Sequence, residues 1–405
     1  MWTSILARPD LLRRIMPACC FVVACITLSL GLWPFHVPAN QVTWIPAGGG
    51  VEYGRAATIL SEGPIVPHPP TSSTGAHSIE VWAAPHPYQK AAVLLSLYSV
   101  DRRSYIEISQ ALVDLKVAVK AKRDGFRTED ATFRWPEVFR RPKLLFLSIT
   151  SGPSGVTVYA DGKLLGRQPG MRIPEWILSG QLILGDSPYQ PDSWRGKVKG
   201  LALYESELTA DDVARHYHSW TTLGSPQPQP DEDIRALYLF GEAKGNRVHS
   251  ETPYAADLWI PDRYMVVDKI FMEPFWEEFE WTRSYASAAV KNLIGFIPFG
   301  FCFYLMFLER GARRPMLLTV VSGMVGSLTI ELLQWFFPTR DSGTTDIFTN
   351  TISTWVGAVV CSYALRRLLP WIAVKQNWNM TDHPISRFAL AVQNGESRLS
   401  AERPH

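Results

Sequence analysis

Cysteine is scarce in this 405-residue chain, and where it is missing matters more than the count. All five (Cys19, Cys20, Cys25, Cys302 and Cys361) lie inside apolar runs. The long middle region therefore has no intradomain disulfide to hold it. An excess of one charge is missing too: 40 Lys and Arg against 38 Asp and Glu leave a net charge of +2. That balance is too small and too mixed for nucleic-acid binding. Long apolar runs occur only near residue 20 and after residue 285. The near-zero mean hydropathy thus averages a polar, turn-rich middle with apolar ends. Catalytic and metal-binding patterns are lacking as well. Gly185-Asp186-Ser187 has no glycine-flanked nucleophile elbow or suitably placed histidine beside it. His216 and His218 stand two apart, so on a helix they face different ways and make a poor metal pair.

At the N-terminus, Arg8, Arg13 and Arg14 precede an apolar run from Pro17 to Trp33, which is short for a spanning helix. Basic-then-apolar order also fits a signal peptide. No small-x-small cleavage site follows, and Trp33 with Phe35 suits an interfacial belt, which favours an uncleaved anchor. The expectation is a cytoplasmic segment 1–16 and a first span over 17–35.

From about residue 40 to 261 the pattern turns to β. Ser78–Ala83, Leu94–Tyr98, Tyr105–Ser109, Asp114–Val119 and Leu144–Thr150 are short runs of branched or aromatic residues. Turn clusters such as GPIVPHPPTSSTG and KRDGFRTED separate them. Val156–Tyr159 and Lys163–Leu165 flank Ala160-Asp161-Gly162, a hairpin signature. Leu182–Gly185 and Gly196–Tyr204 follow. Many short strands without alternating helices predict an antiparallel two-sheet sandwich. One helix is expected, Ala210–His218, with Thr209 and Asp212 forming its capping box.

The succession IEVWAAP, LSITSGPSGVTVYADGKLLG and LILGDSPYQPDSWRGKVKGLALYESELTADDVARHY resembles a laminin-G/concanavalin-A-like jelly roll. The stretch ALYLFGEAKGNRVHSETPYAADLWIP resembles its edge strand and loop, which closes the domain near residue 261. The resemblance implies a binding module for glycans or proteins, with calcium in some members. Asp186 is the weak calcium candidate, although a loop aspartate is more often a turn-former. No other metal or cofactor is expected. Trp82, Trp176 and Trp194 can stack on sugars, with core packing the commoner fate.

Residues 262–284 interleave Phe271, Phe275, Trp276, Phe279 and Trp281 with four glutamates. They read as an aromatic interfacial segment, or equally as a linker packed on the sandwich. Three further spans are expected at 285–308, 315–337 and 346–369, followed by a polar tail over 370–405. Arginines 310, 313, 314, 366 and 367 put both termini in the cytoplasm and residues 40–284 outside. In that arrangement Lys291, Asn292, Glu331, Gln334, Arg340, Asp346 and Asn350 cluster towards the outer leaflet, with Arg340 or Lys291 the natural partner of Glu331. Asp346 as a helix cap and Asn350 or Gln334 as interhelical glue are the plainer readings. Ser322/Gly326 and Ser353/Gly357 are small-xxx-small pairs for close helix approach.

NLIGFIPFG, then Glu331-Leu332-Leu333-Gln334, then Arg340, Asp346, Asn350 and Gly357 in order resemble the VanZ-like family of bacterial membrane proteins over about 285–365. The resemblance implies a link to low-level teicoplanin resistance and no agreed chemistry. A sandwich inserted after the first span departs from a minimal member. The expected protein is a multi-pass inner-membrane protein of the bacterial envelope. It would contact membrane lipids, bind no nucleic acid, and recognise an envelope glycan or lipid-linked precursor. A membrane enzyme acting on such a lipid, or a small-solute transporter, are the alternatives. Neither a nucleophile nor a metal set supports the enzyme, and no broken-helix repeat supports the transporter.

Overall fold

The computed structural model describes residues 9–376 apart from 47–48, 68–74, 88, 100–103, 124–125, 190, 273–274, 276–293 and 341. The chain forms two units. One is His36–Ile270 with Pro338–Asp341; the other is Met1–Phe35, Phe271–Phe337 and Ser342–His405.

The first unit is a β-sandwich. Its strands begin with β1 (Val42–Trp44), β2 (Val51–Tyr53), β3 (Ile59–Pro64), β4 (His77–Pro85), β5 (Gln89–Ser99), β6 (Ser104–Leu112), β7 (Asp114–Arg123) and β8 (Phe126–Trp135). They continue with β9 (Leu145–Gly152), β10 (Gly155–Ala160), β11 (Lys163–Gln168), β12 (Gln181–Leu184), β13 (Gly196–Tyr204), β14 (Ile234–Tyr238), β15 (Arg247–Val248) and β16 (Leu258–Trp259). One sheet runs β1-β2-β13-β4-β9-β10-β11, with β14 beside the second half of β13; the other runs β15-β16-β3-β12-β5-β6-β7-β8. Every pairing between these strands is antiparallel.

Alternation in sequence explains the layering. On β4, Ile79, Val81 and Ala83 enter the core between the sheets; so do Leu145, Leu147 and Ile149 on β9 and Ile106 and Ile108 on β6. The intervening residues of the first sheet are buried too, because a helix covers them: Phe146 and Tyr204 pack under Val213 and Trp220. Numbering helices in chain order, α1 is Pro9–Leu32 and this covering helix is α2, Ala210–Leu223. Gly200 has no Cβ to spare, since one would sit 2.0 Å from the Trp220 ring. The Thr209–Asp212 capping box forms, and α2 ends at Gly224 with φ 74°. The Asp161-Gly162 turn also forms, with φ values of 51° and 75°, and pairs Ala160 with Lys163.

Two differences from expectation have clear causes. Strand β8 occupies part of the stretch read as a turn cluster. It is the last strand of its sheet, and edge strands carry charge that blunts the apolar alternation. The sandwich also runs past residue 261: Tyr264 is buried, and Val267 and Ile270 pack on the outer face of the second sheet with Leu60 and Tyr98. The first part of the expected interfacial segment is therefore part of the sandwich. Most of the remainder lies outside the described residues.

The second unit comprises α1 and three further helices: α3 (Ile297–Glu309), α4 (Pro315–Gln334) and α5 (Thr344–Gln376). Arg13–Leu32 and Pro315–Gln334 are long and apolar enough to cross a membrane; α3 is apolar but spans 13 described residues. Residues 285–293 of the expected second span lie outside the described residues. Helix α5 is 33 residues long and enters the expected tail, with Thr, Asn and Ser diluting its apolar character.

Helix α5 crosses α3 and α4 closely. A Cβ on Gly300 would lie 2.0 Å from the Thr354 carbonyl oxygen, and one on Gly357 2.2 Å from that of Ile297. Ser353 and Gly357 sit in this crossing as expected of a small pair. The Ser322/Gly326 pair does not: Ser322 is half-buried and bonds its own helix at Leu318, while a Cβ on Gly326 would meet nothing nearer than 3.9 Å. Gly323 makes the approach instead: a Cβ on it would lie 2.2 Å from Thr354 Oγ1.

Candidate functional site

The polar residues of α4 and α5 meet on facing sides of the two helices. Glu331 is 1% exposed on a helix with no other charged residue. Its Oε2 accepts the Gly343 N–H at 2.9 Å, and its carbonyl oxygen accepts the Ser342 hydroxyl at 3.3 Å. The carboxylate thus holds the turn that leads into α5. One helical turn earlier, Ser327 accepts from Asn350 Nδ2 at 2.9 Å and donates to the Asp346 carbonyl oxygen at 3.4 Å. Gln334 Nε2 donates to the Gly31 carbonyl oxygen at 2.9 Å, near the end of α1.

Glu331, Gln334, Asp346 and Asn350 are therefore brought together around the α4–α5 turn. Lys291 and Asn292 lie outside the described residues. Arg340 belongs to the Pro338–Asp341 turn, which groups with the sandwich unit. The partner observed for Glu331 includes a backbone amide, which no side-chain reading could name. Ser327 was missed, although it lies four residues before Glu331 and hence on the same helix face.

Beside this cluster, α1, α3 and α4 line an open groove of about 390 Å³ that includes Leu28, Phe296, Phe299, Phe303, Val325 and Ile330 among others. Its hydroxyls are turned away from any guest: Thr27, Ser322 and Thr329 each donate to a carbonyl four residues back on their own helix. Such a lining suits hydrocarbon. At the far end of the helices, Met16, Leu308 and Leu365 cluster, next to Arg13, Arg310 and Arg366. There Arg13 Nε lies 3.6 Å from the buried Glu309 carboxylate.

In the sandwich, Asp186 is fully buried. Its oxygens accept from Tyr264 Oη, from the Ser187 N–H at 2.9 Å and from Ser193 Oγ at 3.4 Å. Burial pushes its carboxyl well above the usual range, against the opposing effect of those hydrogen bonds. Its geometry is that of a brace rather than an open cation ligand. Trp176 and Trp194 are core residues, and Trp82 stacks edge-on against Trp220 at 5.4 Å.

His216 and His218 separate as the helix dictates, His216 buried and His218 exposed. His216 lies between two carboxylates, with Nδ1 3.0 Å from Glu80 Oε1 and Nε2 2.9 Å from Glu232 Oε2. Glu80 also accepts from Tyr204 at 2.8 Å, and Glu232 is bonded by Arg215. No group of three metal-ligating side chains occurs among the described residues.

Comparison with known proteins finds one family model in each part of the chain. Residues 62–214 match the concanavalin A-like lectin/glucanases superfamily, and residues 243–367 match VanZ/LLP1. The second match begins upstream of the helices, in the part that forms β15 and β16. No curated protein matches the chain.

Among solved structures, the CBM40 of a Ruminococcus gnavus IT-sialidase, bound to α2,3-sialyllactose, is 14% identical. It aligns over 41% of this chain and 95% of its own, with a TM-score of 0.31. A putative carbohydrate binding protein from Bacteroides ovatus is 10% identical over 54% of this chain and 61% of its own, with a TM-score of 0.36. A heptameric SAP-like pentraxin from Limulus polyphemus is 10% identical over 57% and 94%, with a TM-score of 0.33. The chain joins a concanavalin A-like β-sandwich to a VanZ-like helical domain.

Proposed function

We propose that this is an integral membrane protein of the bacterial cell envelope that binds an envelope glycan or a lipid-linked glycan precursor. The sandwich takes the sugar, and the polar cluster around Glu331 meets the lipid headgroup. The observation that carries this reading is Glu331 itself, a carboxylate buried in an apolar helix. Ionisable residues within membrane-spanning segments are rare and face the protein interior rather than lipid, which makes Glu331 a functional site by default.

The rest of the helical unit supports the same reading. Arg13, Arg310 and Arg366 mark one end, and an excess of cations there supports a cytoplasmic placement for it. The Glu331 end then lies towards the outer leaflet. The sandwich, which follows α1 in the chain, is then extracytoplasmic. The apolar groove lined by Ile330, the neighbour of Glu331, is suited to an acyl chain. The match of the sandwich to a lectin superfamily supports the sugar.

Co-sedimentation of the detergent-purified full-length protein with peptidoglycan sacculi, lipopolysaccharide or an extract of lipid-linked precursors tests the reading. Retention by one fraction, reversed by its free saccharide, is the expected result. Retention by none contradicts it.

A further inference from the structure

The outer face of the second sheet carries a small cavity near its β15–β16 end, of about 320 Å³, lined by Leu60, Glu62, Gln181, Trp259 and Met265 among others. The strand register builds it. Arg247 stands opposite Trp259, and Trp259 opposite Leu60, so these three side chains share a row on one face. Glu62 is two residues beyond Leu60 on the same strand and points the same way. The placement is confirmed by an ion pair, Arg247 Nη2 to Glu62 Oε1 at 3.2 Å. Gln181 is pinned in the wall by donating to the Ser61 carbonyl oxygen at 2.9 Å.

Trp259 packs with Leu60 and Val267 on this face, but that contact does not bury it fully. Trp259 is only half-buried, whereas Trp176, Trp194 and Trp220 are core residues. Both partners of the ion pair are about half exposed, at 52% and 51%, and such pairs add little stability. What the arrangement does offer is an aromatic wall beside a hydrogen-bonding rim. A pyranose ring presents that same pair of surfaces: a C–H face that packs on an indole, and a girdle of hydroxyls that both donate and accept. Arg247 supplies donors and Glu62 acceptors, and their charges cancel, so the rim favours a neutral sugar over an anionic one.

We propose that this cavity is the saccharide subsite of the sandwich and that its ligand is a neutral pyranose stacked on Trp259, with its hydroxyls held by Glu62 and Arg247. The proposal rests on the glycan-binding reading above and gives that reading a location. It is tested on an array of neutral oligosaccharides (glucose, galactose, mannose and N-acetylglucosamine series) and anionic ones (sialylated and uronic). The detergent-purified full-length protein is compared with Trp259→Ala, Glu62→Gln and, as a control away from the cavity, Trp82→Ala.

The expected result is binding to a neutral series, weakened about tenfold or more by Trp259→Ala, as for a stacked aromatic anchor. Glu62→Gln should weaken it as well, with its melting temperature unchanged, and Trp82→Ala should bind as the wild type does. If Trp259→Ala lowers the melting temperature, Glu62→Gln decides. Neutral-sugar binding that survives both cavity variants overturns the subsite and leaves glycan binding standing. Binding confined to anionic sugars overturns the subsite likewise. A wild-type protein that binds no saccharide overturns both.

Discussion

Tyr264 donates its phenolic hydrogen to the buried carboxyl of Asp186, and so fastens the last segment of the sandwich to the loop between β12 and β13. Burial pushes both groups up: Asp186 well above the carboxylate range, and Tyr264 above the usual phenol range, with the Asp186 charge adding to the latter. A carboxyl raised on folding binds its proton more tightly in the native state than in the unfolded one. Its contribution to stability is thus complete below about pH 4 and is lost as the pH rises through the elevated value. Asp186→Asn, which keeps a neutral side chain of the same shape, should flatten that decline. Melting temperatures followed by tryptophan fluorescence between pH 4.5 and 8 measure it. An unchanged slope in the variant contradicts the assignment.

His216 is held between Glu80 and Glu232 with no solvent contact. Removing the imidazole leaves the buried groups around it without hydrogen-bond partners, at about 1–3 kcal/mol for each group left unsatisfied. His216→Ala should therefore lower the melting temperature of the sandwich by many degrees. His218→Ala, on the exposed side of the same helix, should leave it within about 0.5 kcal/mol of wild type. Equal effects from the two substitutions would remove the clamp from the account.

The crossing of α5 over α3 and α4 leaves no room for a methyl group at Gly300 or Gly357, where the obstacle is backbone. Alanine at either position should force the helices apart, with an overpacking cost of about 1–3 kcal/mol. Gly326→Ala would make only ordinary van der Waals contact with the Phe299 and Phe296 rings, at 3.9 and 4.0 Å, and should be tolerated. Thermal stability of the three variants in one detergent checks this, and a Gly326→Ala as damaging as Gly357→Ala would overturn the packing described.

What the sequence made legible follows from how local each cause is. Strand β13 was readable over its full length because its alternation is written in consecutive residues. The Asp161-Gly162 turn and the Thr209–Asp212 box were readable because their chemistry lies within a few positions. Strand β8 was not, since an edge strand can be charged and still pair. Asp186 looks like any loop aspartate until Tyr264, far along the chain, buries it. The choice of Gly323 over Gly326 at the helix crossing depends on where Thr354 of another helix falls. Glu331 and its neighbours stood out as polar residues in apolar runs. The backbone amide of Gly343 that meets Glu331 has no mark in the sequence.

Native mass spectrometry of the detergent-purified full-length protein, wild type beside Glu331→Gln, bears most directly on the central claim. Glutamine can still accept the Gly343 N–H, so the α4–α5 turn is kept while the charge is lost. The account predicts a lipid-linked saccharide retained by the wild type and released by the variant. A wild type that carries no specific lipid, or a variant that retains the same one equally well, would contradict a headgroup site at Glu331.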